Sequence, residues 1–230
     1  LFKKITFTST LDFDDIEKPK LASTMIPDWY KDTKSYIYDK KIPTEEGITS
    51  GTIKKCIPVF DAISSGYIIT SPGDVYVGTK EKTGQYFYWS NFEIIKFHTT
   101  EQAPEHPLKK PFIYPKWMNP WSIKTPKGYS ILITQPMHRD LPFTIFPAIV
   151  DTDKYTSPIN FPFVINDPEF EGLIPAGTPI AQIIPFKRDS WKMFLGNKKD
   201  LRDQFQIGIK LSSKIFDRYK TMFWEKKQYK

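Results

Sequence analysis

The chain predicts a mainly β fold, and three observations carry that prediction. Between Pro126 and Arg188, apolar runs at 129–134, 143–150, 159–165 and 179–186 are of strand length and rich in β-branched and aromatic residues. Pro126-Lys127-Gly128, Asp151-Thr152-Asp153, Asn166-Asp167-Pro168 and Pro175-Ala176-Gly177 sit between them as turns and leave no room for a helix of ordinary length. Aromatic residues make up 16% of the chain and prolines number 20, a composition suited to short strands bridged by large side chains and joined by stiff loops.

The remaining elements follow in order. Phe2, Ile5 and Phe7, then Leu11 and Phe13, predict an edge strand and a turn. Residues 19–32 read as a linker into a short helix opened by Pro27 and Asp28, with Trp29 and Tyr30 packing it on a sheet. Residues 34–52 are polar, carry Lys40-Lys41, Gly47 and Gly51, and read as surface loop. Residues 53–66 are apolar but broken by Pro58, which fits a short strand or a helical turn. Ser71-Pro72-Gly73, between the apolar runs 67–70 and 74–77, predicts a hairpin; Lys82-Thr83-Gly84 predicts a second, joining 75–77 to 85–89. Another strand is expected over 92–98. The proline-dense stretch 98–121 excludes a long helix or a central strand and reads as an extended segment able to wrap another surface. Beyond Arg188, Leu211, Ile215, Tyr219, Met222 and Phe223 fall at helical spacing and predict a basic amphipathic helix over 210–230, capped by Ser212 or Ser213. The expected organisation is an N-terminal extension (1–52), a β domain (53–188) with the proline-rich insertion (98–121), and a helical tail (189–230).

Composition narrows the classes. The one cysteine, Cys56, excludes an internal disulfide and, set in the apolar run 56–60, is expected to be a buried structural thiol. No secretory signal is visible, and no run approaches the roughly 18 apolar residues of a membrane span, so a soluble protein made inside a cell is expected. The formal charge of +7 permits an acidic partner. Its lysine pairs (54-55, 109-110, 198-199, 226-227) are dispersed, which favours a solvated basic surface over a groove that tracks phosphates. No phosphate-binding loop, dinucleotide fingerprint, G-x-S-x-G or Cys-x-x-Cys is present.

Pro126-Lys127-Gly128-Tyr129 resembles the P-x-G-Y that opens the second motif of the dUTPase and dCTP deaminase β-clip family. The segment Ile149-Val150-Asp151-Thr152-Asp153-Lys154-Tyr155 resembles its third motif, G-V-I-D-x-D-Y. Gly177-Thr178-Pro179-Ile180-Ala181-Gln182 resembles its fourth, G-D-R-I-A-Q-L, and Ser65-Gly66-Tyr67-Ile68-Ile69 is a fainter echo of the first, A-G-Y-D-L. The second to fourth motifs keep the family's order and spacing, over about a third of the chain. The chain also resembles, over most of its length, an uncharacterised family encoded by phages, especially marine ones, and by some bacteria. The resemblance implies a dUTPase-like β-clip barrel or sandwich that trimerises, with Asp151 as the candidate water-activating group and Tyr67, Asp151, Asp153 and Gln182 as candidate ligand-binding residues.

The departures from that pattern decide the expected chemistry. Gln135-Pro136-Met137 stands where the family has the phosphate-binding Arg-Ser-Gly, Ile68 replaces the first-motif aspartate, and Ala148 replaces the third-motif glycine. Lys154 displaces Tyr155, and the glycine-rich C-terminal arm is absent. A triphosphate cannot be held without cations and backbone N–H donors, so dUTPase catalysis is not expected. Asp151 and Asp153 invite a metal or general-base reading, although Asp-x-Asp in a turn equally caps backbone N–H groups. His98, His106 and His138, with Glu101, Glu105, Asp140 or Asp151, lack tight ligand spacing and read as loop residues. The leading expectation is a non-enzymatic phage structural or assembly protein, in the virion or in the cytoplasm of the infected host cell. It would contact itself and other phage structural proteins, with Trp117, Trp121, Trp191, Phe223 and Trp224 as candidate contact residues. No membrane partner, cofactor or metal is expected. The alternative is a nucleotide-binding or nucleotide-hydrolysing protein using the residual cleft, with Mg only if nucleotide is bound. A host-directed interaction protein is the third class.

Overall fold

The computed structural model describes residues 3–11, 16–38, 50–80, 85–90, 93–99, 102, 114–212 and 219–230. The chain forms two units: residues 1–25 with 66–188, and residues 26–65 with 189–230. The stretch read as a single extension over 1–52 is therefore shared between them.

The first unit is mainly β. In chain order its strands are β1 (Thr6–Thr8), β2 (Lys20–Leu21), β3 (Tyr67–Thr70), β4 (Val75–Lys80), β5 (Gln85–Trp89), β6 (Ile95–Phe97), β7 (Pro115–Trp117), β8 (Ser122–Lys124), β9 (Tyr129–Thr134), β10 (Phe143–Ile145), β11 (Ala148–Val150), β12 (Phe161–Ile165), β13 (Gly172–Ile174) and β14 (Pro179–Lys187). Among the described residues they make antiparallel sheets of order β11-β9-β14-β3-β2, β10-β12-β7-β6, β13-β4-β5 and β1-β8. The longest ladder runs from Gln182↔Thr134 to Lys187↔Tyr129 between β14 and β9. Its alternation buries Ile131, Ile133 and Ile183, as the period of two in a half-buried strand requires. A second apolar centre surrounds Trp117, whose ring lies 5.1 Å from Phe163, nearly parallel to it, and 5.3 Å from Phe143.

Several expectations give way to the observed topology. The single strand read over 143–150 is two strands in two sheets. The chain turns a corner at Phe146-Pro147, where Phe146 N–H bonds the Pro162 carbonyl. The hairpin read around Ser71-Pro72-Gly73 does not form, since β3 and β4 belong to different sheets. Ser71 bonds instead to the turn before β14, donating its N–H to the Thr178 carbonyl and accepting from Gly177 N–H. The second hairpin, β4 with β5, is present, and its turn lies outside the described residues. The proline-dense stretch 98–121 reads as unfit for a central strand, yet β7 lies between β12 and β6. Pro115 is tolerated because it opens the strand, where a missing N–H matters least. Short β2 and β13 carry no sequence signal of their own.

Among the described residues the second unit holds three α-helices: α1 (Asp28–Asp32), α2 (Ile57–Ser64) and α3 (Lys198–Ser212). Pro58 sits in the first turn of α2, where its lack of an N–H costs nothing, so the ambiguous 53–66 run resolves as a helix. Tyr30 is buried, stacks on Phe60 of α2 at 6.2 Å and donates its hydroxyl to the Lys54 carbonyl; the packing partner of α1 here is a helix rather than the expected sheet. Cys56 is exposed, against the expectation of a buried thiol, because it stands just before α2 with its carbonyl accepting from Val59 and Phe60. The tail helix starts earlier than its apolar spacing suggests. Asn197 and Asp200 form a reciprocal cap, the Asn197 side chain accepting from Lys199 N–H at 2.9 Å and the Asp200 carboxylate from Asn197 N–H at 2.6 Å. That pair nucleates α3 over 198–212, and only a π-helical turn at Tyr219–Phe223 falls in the remaining described part of the expected 210–230 helix. Among the described residues no helix is long and apolar enough to cross a membrane.

Candidate functional site

The turn after β11 brings Asp151 and Asp153 to the end of the β9–β14 ladder. β14 runs out at Lys187 opposite Tyr129, which places Arg188 beside the 126–128 turn, and its N–H bonds the Gly128 carbonyl at 2.9 Å. From there its guanidinium forms a forked contact with Asp153: Nη1 reaches one carboxylate oxygen at 2.9 Å, and Nη2 reaches the other. Nη1 also lies 2.9 Å from an Asp151 carboxylate oxygen and 3.1 Å from Ser130 Oγ. Gly128 N–H donates to Asp153 at 2.8 Å, and Ser130 Oγ donates to Asp151 at 2.7 Å. Gly128 has φ of 84°, a left-handed conformation that lets the turn aim this N–H inward. Beneath the cluster the buried hydroxyls of Thr125 and Thr152 bond each other at 2.8 Å.

The electrostatics follow from these partners. The Arg188 guanidinium, then Gly128 N–H, hold the Asp153 carboxyl down at about 2. Ser130, then Arg188, lower that of Asp151. The two aspartates in turn raise Arg188, Asp153 most strongly. A general base gains from a pKa near the working pH, and stabilising the carboxylate makes Asp151 a poorer proton acceptor. Asp153 is 3% exposed while Asp151 is 51% exposed, so the first is a structural cap and the second alone reaches solvent.

Acid therefore has a defined effect. The unfolded Asp153 titrates near 3.9 and the folded one near 2, so the folded state binds fewer protons between those values. Its contribution to stability is fully present above roughly pH 4 and is lost as pH falls through about 2. In thermal melts from pH 5 to 2, Asp153→Asn should therefore lose less midpoint temperature than the wild type. A parallel decline of the two would contradict the pairing.

The other candidates do not converge on this cluster. Gln182 is buried on β14 and accepts Met137 N–H at 2.9 Å. In the ladder it pairs with Thr134, four residues along β9 from Ser130, which separates it from the aspartates by about 13 Å at strand spacing. Gln135 donates to the Phe143 carbonyl and accepts from Ile145 N–H, and Pro136 is buried. Tyr67 is also buried, in β3 between Leu21 and Ile183, with Phe7 edge-on at 5.2 Å. Of the aromatic contact candidates, Trp117 and Trp121 are core residues, and the Trp121 indole N–H donates to the Glu17 carbonyl. Trp191 and Phe223 are exposed. His106, Glu101 and Glu105 lie outside the described residues, among which no group of three or more His, Cys, Asp or Glu could hold a metal ion.

Trp224 belongs to a clasp inside the second unit. Its indole N–H donates to both Asp61 carboxylate oxygens, at 2.9 and 3.1 Å, and Lys227 Nζ joins at 2.8 Å. Asp61→Ala should release the segment 219–230 from α2, seen as at least about tenfold faster amide exchange there with little change in β9 and β14. Unchanged exchange over 219–230 would show that the clasp does not hold it.

Sequence reasoning missed Arg188 and Ser130. Arginine is rare here, at four positions (139, 188, 202 and 218), and Arg188 follows the apolar run 179–186, but the pairing of β14 with β9 that carries it to the aspartates is not visible in the sequence.

No family model matches the chain, and no curated protein matches it. Among solved structures it is similar to the native EIAV dUTPase, with a TM-score of 0.32 and 14% identity, over 59% of this chain and 85% of that chain.

Proposed function

We propose that this chain is a non-enzymatic, phage-encoded structural or assembly protein on a degenerate dUTPase-like β-clip scaffold, holding neighbouring subunits through its C-terminal segment. The phage assignment and the scaffold rest on the sequence resemblances. One structural observation carries the contact role. Directly after the β unit ends, Trp191, Met193, Phe194 and Leu195 are 91%, 87%, 77% and 90% exposed. Leu201 and Phe205, four apart and so on one face of α3, are exposed as well. A soluble monomer rarely leaves so many large apolar side chains close together in sequence in water, and exposed apolar surface of this kind marks contact sites. The second-motif region supports the same reading: Met137 N–H and the Gln135 amide are engaged by protein groups.

Sedimentation velocity of the full chain tests the contact role. The wild type should associate with rising concentration, and Trp191→Ser with Phe194→Ser should sediment as a monomer with an unchanged melting midpoint. Equal association by both proteins would overturn it. A thermal-shift panel of deoxynucleoside triphosphates with Mg²⁺ tests the absence of a nucleotide site. A ligand at 100 times its Kd would add about 2.7 kcal/mol of stability, and no shift is expected.

A further inference from the structure

The exposed C-terminal segment has a matching surface elsewhere on the chain. On the β13-β4-β5 sheet, Val75, Val77 and Ile174 are buried on the inner face. The opposite face presents Leu173, Tyr76 and Trp89, which the register places directly across from one another on three neighbouring strands. They are 54%, 41% and 63% exposed. Phe87, also exposed, pairs with Gly78, and a Cβ there would stand 2.5 Å from the Phe87 ring. The ring therefore lies over the bare glycine and extends the row into a flat aromatic platform. At strand spacing the row is about 10 Å wide, and a five-residue segment reaches at most about 17 Å.

We infer that this platform is the seat of the 191–202 segment of a second copy of the chain. The inference rests on the contact role proposed above and names the partner and the surface. Charge selects the occupant. Exposed Asp74 precedes β4, and exposed Asp167, Glu169 and Glu171 precede β13, while Lys80 closes β4. The segment carries Lys192, Lys198, Lys199 and Arg202 against Asp200 alone. A basic, aromatic-rich strap thus meets an acid-flanked aromatic surface, the complementarity that fixes register between partners. Covering Leu173, Tyr76, Phe87 and Trp89 with Trp191, Met193, Phe194 and Leu195 removes on the order of 1,000 Å² from water, enough for a specific contact. Segment and platform are different surfaces, so the contact is head-to-tail. It builds a ring if the rotation closes and a filament if it does not.

Mixing full-length variants tests this. The platform variant Tyr76→Ser with Trp89→Ser and the segment variant Trp191→Ser with Phe194→Ser should each raise the concentration for half-association at least about tenfold. A one-to-one mixture should form a heterodimer, because the first retains its segment and the second its platform. A platform variant that associates like the wild type, while the segment variant does not, would overturn this inference and leave the contact role standing. If both variants and the wild type associate alike, both readings fall. Should the serine variants not fold, Trp89→Cys and Phe194→Cys chains, each with Cys56→Ser, are mixed under oxidation. A disulfide-linked heterodimer in excess of either homodimer is expected, and its absence would contradict the inference.

Discussion

Trp117→Ala is expected to destabilise the β unit by about 4 kcal/mol, as large-to-small changes at a buried tryptophan do. Trp117 has no exposed surface, stacks on Phe163 and touches Phe143, so truncation leaves a cavity between strands β7, β10 and β12 that rigid neighbours cannot fill. Its indole N–H has no hydrogen-bond partner among the described residues. Trp117→Phe therefore forfeits no hydrogen bond and should cost about 1 kcal/mol, mostly from lost volume. Urea unfolding of both variants decides between a core and a contact residue. A contact residue would leave the midpoint unchanged and alter association instead.

Gly66→Ala should cost about 3 kcal/mol or more, from two effects that add. Gly66 has φ of 74°, a region that L side chains occupy at a cost of roughly 1–3 kcal/mol. A Cβ there would also lie 2.0 Å from the Ile183 carbonyl oxygen, inside the backbone of β14. Neither strand can give way without breaking the pairing of β3 with β14, and the Gly66 carbonyl holds Ala22 N–H as well. The expected result is a lower urea midpoint with faster amide exchange along β3 and β14. A near-neutral substitution would mean that the two backbones do not approach in this way.

These two residues also show what could be read in the sequence. Gly66 reads there as part of a faint motif echo, and the reason no other residue fits is a strand more than a hundred residues away. Trp117 reads as a contact residue because prolines surround it, and only the pairing of β7 with β12 and β6 makes it core. Strands with strong alternation were legible: 129–134 is found as β9, and 179–186 as most of β14. Elements fixed by sheet exchange were not. Phe146-Pro147 reads as the middle of one apolar run and Ser71-Pro72-Gly73 as a hairpin turn, and bonds to the distant Pro162 and Thr178 carbonyls make both into corners between sheets. In the tail, apolar spacing pointed to 210–230, while the Asn197–Asp200 cap sets the helix start by local hydrogen bonding. Asp151 and Asp153 were legible as a pair; their shared occupation by Arg188 was not, because the register of β9 with β14 creates it.

Quantitative mass spectrometry of purified phage particles, comparing wild type with a phage carrying Trp191→Ser and Phe194→Ser in this chain, tests the central claim most directly. The account predicts a fixed number of copies per particle in the wild type and loss of the chain from particles of the variant. A chain absent from wild-type particles, or incorporated equally in both, would contradict it.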